Sequence, residues 1–175
     1  MVKRVKQVIA ALTAKITHDD RLFVNRYLTS SEQILFWGMN LPDQRHVLNV
    51  AYTALRLAKA HKNIDINLLV RCALLHDVGK IKGDVSTMDK IITVIGHRFA
   101  PRWSKKWGRL GRGNRLMNIR HAFYIYFYHA HRSSTMLKAI GASPKVIELV
   151  AKHHETPAEH DPLELMLLRK SDDLH

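Results

Sequence analysis

The chain has 175 residues, 46% of them hydrophobic, which suits one folded domain and excludes a wholly disordered protein. Its net charge of +13 favours anionic partners: phosphorylated substrates, nucleic acid or an acidic membrane surface. A single cysteine, Cys72, excludes an intrachain disulfide and fits a reducing cytoplasm, and no apolar run approaches the ~20 residues of a transmembrane helix.

The first 40 residues predict helices that add to a core formed further along the chain. Apolar residues at helical spacing predict a helix over 3–16, and a second is expected over 19–28. Ser30 as N-cap and Gln33 at N3 predict a capping box that opens a third, short helix, which Gly38 ends. We expect this part to form extra N-terminal helices.

The next helix is expected to begin at Pro42, a residue suited to the first helical turn, and to run to about His61. His46 lies in its first turns, near the apolar face. Asp65 then offers an N-cap for the helix that follows.

The stretch from Leu68 to Lys80 is a nearly unbroken apolar run, which predicts a helix buried on most sides. It carries His76 and Asp77 at its C-terminal end, and Gly79 is expected to close it as a C-cap. A buried imidazole beside a carboxylate needs partners for its lone pairs. Either hydrogen bonds or a bound cation would supply them.

The segment 81–120 holds ten basic residues against two acidic ones, so it carries an excess of eight positive charges. A short helix is expected over 88–97, and Pro101 with several glycines predicts a loop for the remainder. Three interpretations stay open: a solvated basic loop, an arm over a phosphorylated substrate, or a patch for nucleic acid or anionic lipid.

A long helix is predicted over 118–140. His129 and His131 are about 200° apart around it, so only one of them should face the core. This helix is expected to end at Gly141, and a new helix is expected to begin at Pro144 with Ser143 as its N-cap.

Two adjacent histidines, His153 and His154, end that helix, and side chains about 100° apart near a helix end can both point into one cleft. Asp161 and Pro162 start a last helix, which runs to Asp172. Because every secondary-structure element predicted from the sequence is helical, we expect a single all-α bundle of about seven to nine helices.

Leu75-His76-Asp77-Val78-Gly79-Lys80, with His46 upstream and Asp172 downstream, resembles the HD-domain metal-dependent phosphohydrolases. The motif is most similar to the branch that reads His-Asp-Ile/Val-Gly-Lys. The resemblance covers about Leu41 to the C-terminus. It implies one HD-type helical domain over 1–175, with N-terminal extra helices over about 1–40 and a basic insertion over about 81–120.

The resemblance also implies the metal ligands. One metal would be held by His46, His76, Asp77 and Asp172. Asp77 would bridge to a second metal, whose other ligands are His129, His153 and His154, with His131 as the alternative to His129. Mixed imidazole and carboxylate ligation suits one or two divalent first-row ions such as Mn, Fe, Ni, Co or Zn.

Two kinds of residue are expected to act on a phosphate. Asp77 would serve catalysis through the metals, and the ammonium of Lys80, directly after the motif, would offset charge on a phosphate oxygen. Arg98 and Arg102 are further candidates for binding the substrate phosphate.

The expected activity is hydrolysis of a phosphoester, of nucleotide or cyclic dinucleotide type, by metal-activated water. The Gly-Tyr-Pro motif of the cyclic di-GMP branch does not follow His-His-Glu here. Among enzymes, a mononuclear nucleotide monophosphatase is the nearest competitor. The alternative from another class is a catalytically silent HD-fold regulator that binds nucleic acid or an anionic membrane through 81–120. We expect a cytoplasmic protein, with peripheral membrane association left open.

Overall fold

The computed structural model describes residues 14–175. This part of the chain forms nine α-helices and no β-strand, which confirms the predicted all-α, single-domain fold. In chain order they are α1 His18–Tyr27, α2 Ser30–Trp37, α3 Leu41–Ala58, α4 Ile66–Leu75, α5 Thr87–Phe99, α6 Pro101–Trp107, α7 Arg115–Ala139, α8 Pro144–Lys152 and α9 Leu163–Asp173.

Helix α4 lies at the centre of the bundle, as its apolar sequence predicts. It packs against α3, α8 and α9, and against α1 and α2 from the N-terminal part. All of its residues from Leu69 to Leu75 except Arg71 are buried, and Asp65 caps its first turn by accepting from the amide of Leu68 at 2.9 Å. The buried helix therefore delivers its C-terminal end to the interior.

The N-terminal helices differ in detail from their predictions. The helix expected over 3–16 lies almost wholly outside the described residues. The capping box of α2 is formed by Thr29 and Glu32, so the prediction of Ser30 and Gln33 was wrong by one residue. Glu32 takes this role because its carboxylate accepts a hydrogen bond from the amide of Thr29 and another, at 2.6 Å, from the guanidinium of Arg71 of α4. The second hydrogen bond connects α2 to the core.

The glycine of the central motif has another role than the predicted C-cap. Helix α4 already ends at Leu75, with His76 at its C-cap, and the chain turns over 76–79. A β-carbon at Gly79 would lie 2.6 Å from the carbonyl oxygen of His129 and 2.9 Å from the amide nitrogen of Ser133. Gly79 is therefore needed for the close approach of this turn to α7.

The basic segment is more helical than predicted. Residues 101–107, expected as loop, form α6, because Pro101 is favourable at the first position of a helix. Trp103 and Trp107 are four residues apart, so their rings stack one turn above the other with centroids 5.0 Å apart. Trp107 also contacts the ring of Phe123, which packs α6 against α7.

The C-terminal helices follow their predictions closely. α7 begins three residues earlier than expected, and Ser143 and Pro144 start α8 as predicted. None of the helices in the described part of the chain combines the length and the apolar character that crossing a membrane would take.

Candidate metal centre

Two polar side chains lie at the buried end of α4. His76 is 0% and Asp77 1% exposed, although the turn that holds them is followed at once by Lys80 near the surface. Such burial of a carboxylate is costly unless it is paired or coordinates a cation. Both oxygens of Asp77 therefore need partners among the surrounding side chains.

A first group of side chains meets on the Oδ2 side of Asp77. His46, from the second turn of α3, places Nε2 3.0 Å from Oδ1 of Asp172 and 3.8 Å from Oδ2 of Asp77. His76 Nε2 lies 3.6 Å from each of the same two oxygens. The ligand atoms of His46, His76 and Asp172 are all within 4.8 Å of one another.

A second group lies on the other side of the same carboxylate. His129 Nε2 is 3.3 Å from Oδ1 of Asp77 and 2.9 Å from Nε2 of His154. His129, His153 and His154 offer ligand atoms within 4.8 Å of one another, and so do His76, Asp77 and His153. Asp77 thus stands between the two groups, with one oxygen facing each.

Three of the imidazoles are oriented by their own helices. The Nδ1–H of His76, His129 and His153 each donates to the backbone carbonyl three residues earlier, at 2.9, 2.9 and 2.7 Å. A carbonyl only accepts, so Nδ1 carries the proton and the Nε2 lone pair faces the site. This is the tautomer that metal-binding histidines use when their second nitrogen is held by a backbone carbonyl.

Three of the atoms aimed into the site have no hydrogen-bond partner within the described residues. They are Nε2 of His76, Nε2 of His153 and Oδ1 of Asp77, all of them buried. Buried polar atoms are rarely left unsatisfied, because each costs free energy. Imidazole nitrogens and a carboxylate oxygen converging in this way fit a divalent first-row cation.

The protonation states suit cation binding. Burial, reinforced by the positive charge of Lys80, lowers the pKa of His129 to about 3. Burial and the nearby His76 hold the pKa of His153 well below its usual range. Both imidazoles are therefore neutral at physiological pH, as a ligand must be.

The carboxylates attract positive charge. Burial opposes ionisation of Asp77, but Lys80 and His76 outweigh it and hold its pKa well below the usual range. The same burial disfavours a charged His76, yet Asp77 and Asp172 raise its pKa above that of a free histidine. A proton or a metal ion is thus favoured between these groups.

Lys80 lies at the edge of the site. Its Nζ donates to Oδ2 of Asp77 at 2.7 Å, and its side chain is 28% exposed. Burial alone would lower the pKa of Lys80, but the Asp77 carboxylate raises it above the usual value, so the ammonium stays charged.

A pocket of about 160 Å³ opens beside Lys80. Its walls are largely apolar, and its charged side chains come from α3, from the segment between α4 and α5, and from α5. The lining residues are Asn40, Asp43, Lys80, Ile81, Asp84, Val85, Lys90, Thr93, Val94, Ala122, Ile125 and Tyr126.

Sequence reasoning missed Asp43 and Lys90, whose side chains pair at 2.9 Å. Asp43 stands one helical turn before His46, a spacing that could have suggested it.

Other predicted residues lie elsewhere. His131 is exposed, so the structure places His129 and not His131 at the site. Arg98 and Arg102 are exposed and do not line the pocket beside Lys80. Their role in binding the substrate phosphate stays a prediction.

The protein is an all-α bundle, and histidines and aspartates converge at the end of its central helix. It therefore falls in the class of helical proteins with a candidate metal centre in the interior. The family model described as HD domain matches residues 44–175, and the chain therefore belongs to the HD-domain family. This family generally comprises metal-dependent hydrolases. No curated protein and no solved structure gives a significant match to the sequence.

Proposed function

We propose that this chain hydrolyses a phosphoester of a nucleotide-type substrate at a two-metal centre. One observation carries the proposal: two groups of histidines lie on opposite oxygens of Asp77. Among residues 14–175, each group leaves a buried nitrogen atom without a hydrogen-bond partner. A hydrogen-bonded structural cluster would have satisfied these atoms internally.

The ligands divide between the ions according to the distances. His46, His76 and Asp172 would hold the first ion together with Oδ2 of Asp77. His129, His153 and His154 would hold the second, and Oδ1 of Asp77 faces them. A carboxylate with two oxygens can bridge ions roughly 3.5–4 Å apart, the spacing of two-metal phosphoryl-transfer sites.

Divalent ions at such a site lower the pKa of a bound water and offset negative charge on phosphoryl oxygens. The chain's own residues complete the electrostatics. Lys80 keeps its ammonium charged beside Asp77 and also lines the pocket, so it can contact a phosphate oxygen on the substrate side. The buried Nδ1–H to carbonyl hydrogen bonds hold the imidazoles rigid during turnover.

The volume of the pocket favours a substrate with one small heterocyclic group. At about 160 Å³ it is smaller than the roughly 300–1,000 Å³ typical of drug-sized ligands, which favours one heterocyclic base over both bases of a cyclic dinucleotide. Apolar walls suit the faces of a ring, and Asn40 with Asp43 offers an amide and a carboxylate to its edge.

The test begins with elemental analysis of the purified protein. The retained metal is then restored to chelator-treated protein, and phosphoester cleavage is screened over nucleoside monophosphates, cyclic mononucleotides and cyclic dinucleotides. We expect cleavage that requires metal and is lost in Asp77→Asn. Undiminished cleavage by the chelated protein would overturn the proposal, and so would tight metal binding with no turnover of any phosphoester.

A further inference from the structure

Helix α5 presents its apolar side chains to solvent instead of to the core. Met88 is 59%, Ile91 48%, Ile95 52% and Phe99 83% exposed. These residues recur every three to four positions, so they form one continuous stripe along the helix. A soluble surface helix normally shows the reverse orientation.

The inward face of α5 fixes this orientation. Asp89 is 3% exposed and pairs with Arg115 of α7 at 2.8 Å. Thr93 is 2% exposed and donates to the carbonyl of Asp89. A β-carbon at Gly96 would lie 2.5 Å from the ring of Phe123, so the helix is seated closely on α7 through this glycine. Rotating α5 to bury its stripe would break the Asp89–Arg115 pair and lift Gly96 off the ring of Phe123. It would also move the buried side chain of Thr93 away from the interior.

The apolar surface continues beyond α5. Trp103 of α6, which follows directly after Ala100, is 55% exposed, and Leu110 in the next loop is 59% exposed. An indole suits the boundary between an apolar phase and water, because it combines a large apolar body with one polar N–H.

The exposed charges carried by α5, α6 and the loop that follows are of one sign. From Lys90 to Ile147 the sequence contains no acidic residue, and the single acid within α5, Asp89, is buried. Arg98, Arg102, Lys106 and Arg109 are exposed along and after the apolar stripe.

We propose that the α5–α6 face, meaning the exposed side chains of residues 88–110, docks on a bilayer that contains anionic phospholipids. A stripe of aliphatic and aromatic side chains bordered by Arg and Lys is the pattern of helices that lie in the membrane interface. Lipid headgroups supply the negative charge that this face lacks, and the acyl region receives Ile91, Ile95 and Phe99.

Other occupants fit less well. Nucleic acid would engage the basic residues but gains nothing from exposed Met, Ile and Leu side chains, because its interfaces are polar and rely on aromatic stacking. A second copy of this chain would bring two faces of the same positive charge together.

The experiment measures co-sedimentation of the full chain with phosphatidylcholine vesicles that contain or lack phosphatidylglycerol. Phe99→Asp and Ile34→Asp form a matched pair: both replace a highly exposed apolar residue, 83% and 73% respectively, and both add the same charge. Ile34 belongs to α2, which packs on α1 and α4. Both variants should keep the melting temperature of the parent protein.

We expect binding to the anionic vesicles that Phe99→Asp weakens roughly tenfold or more, while Ile34→Asp changes it less than about twofold. With brominated lipids, the tryptophan fluorescence should be quenched, and Trp103→Phe should remove most of that quenching. If Phe99→Asp and Ile34→Asp lost the same amount of vesicle binding, the change in net charge alone would explain the loss, and the proposal would be overturned. It is also overturned if the protein binds RNA or DNA but no vesicles, or if Phe99→Asp instead dissolves a dimer in sedimentation experiments without vesicles.

Discussion

The Nε2 atoms of His129 and His154 lie 2.9 Å apart, although one residue belongs to α7 and the other follows α8. Nδ1 of His129 donates to a backbone carbonyl, so its Nε2 can only accept in the neutral ring. Without a metal, His154 must therefore donate its own Nε2–H. A cation would instead take both lone pairs.

This relationship offers a test of the proposed two-metal centre. We expect His154→Ala to remove one of two bound ions, because only the second group loses a ligand, and Asp77→Asn to remove both. Metal per chain is measured by elemental analysis after dialysis. His160→Ala, an exposed histidine on the following loop, serves as the control and should keep the parental metal content. Two ions retained by His154→Ala would contradict the assignment.

Lys80→Met tests the proposed role of the Lys80 ammonium in offsetting negative charge on the phosphate. Removing the ammonium leaves developing phosphoryl charge without its partner, so kcat/KM for the substrate found by the screen should fall roughly 100-fold. Metal content should stay unchanged, because Lys80 contacts Asp77 without being a ligand. Lys152→Met, which removes an exposed lysine paired with Glu148, is the matched control and should retain full activity. Loss of metal from Lys80→Met would assign the lysine a structural role instead.

The sequence predicted the centre of the fold because its signals are local. An apolar run ending in His76 and Asp77 indicates a buried helix with a polar end, whatever surrounds it. The partners from distant helices, His46 and Asp172, came from the order of a family motif. Spacing alone cannot bring residues on α3 and α9 together.

The wrong predictions have two causes: packing between helices and local signals that are ambiguous. Gly79 was expected as a C-cap, but its requirement arises from the backbone of α7, which no local pattern reveals. The helix over 101–107 was hidden by its proline and the following glycines, because these residues also favour loops. For α5, periodicity defines an apolar face but not the direction in which that face points, which is set by the buried Asp89 and Thr93.

Gly79→Ala should destabilise the fold and disturb the site together. The added carbon would lie 2.6 Å from the carbonyl of His129 and 2.9 Å from the amide nitrogen of Ser133, and backbone atoms cannot give way as a flexible side chain can. We expect the free energy of unfolding to fall by about 2–3 kcal/mol, measured by urea denaturation, with reduced metal content. Gly83→Ala is the comparison: its φ of +84° strains alanine by about 1 kcal/mol, but nothing lies within 4 Å. Equal losses would show that space at Gly79 is not limiting.

The last prediction concerns the acid stability of the N-terminal helices. Asp20 of α1 is 3% exposed and accepts from the guanidinium of Arg45 and the hydroxyl of Tyr52, both at 2.8 Å, on the helix that carries His46. Burial opposes ionisation of Asp20, but Arg45 and the hydrogen bonds from Thr17 and Tyr52 outweigh it and lower its pKa to about 2.

Because the pKa of Asp20 is lower in the folded than in the unfolded chain, its contribution is complete above about pH 4 and disappears as the pH falls through about 2. The shift corresponds to about 2 kcal/mol. Urea unfolding of the parent and of Asp20→Asn across this range should therefore show a stability difference that shrinks towards zero at the acid end. Asp19→Asn, one position earlier on the exposed side of α1, is the control for removing an acidic side chain from the same helix. A difference between parent and Asp20→Asn that stayed constant from pH 7 to 2 would mean that the carboxylate's charge does not hold α1 on α3.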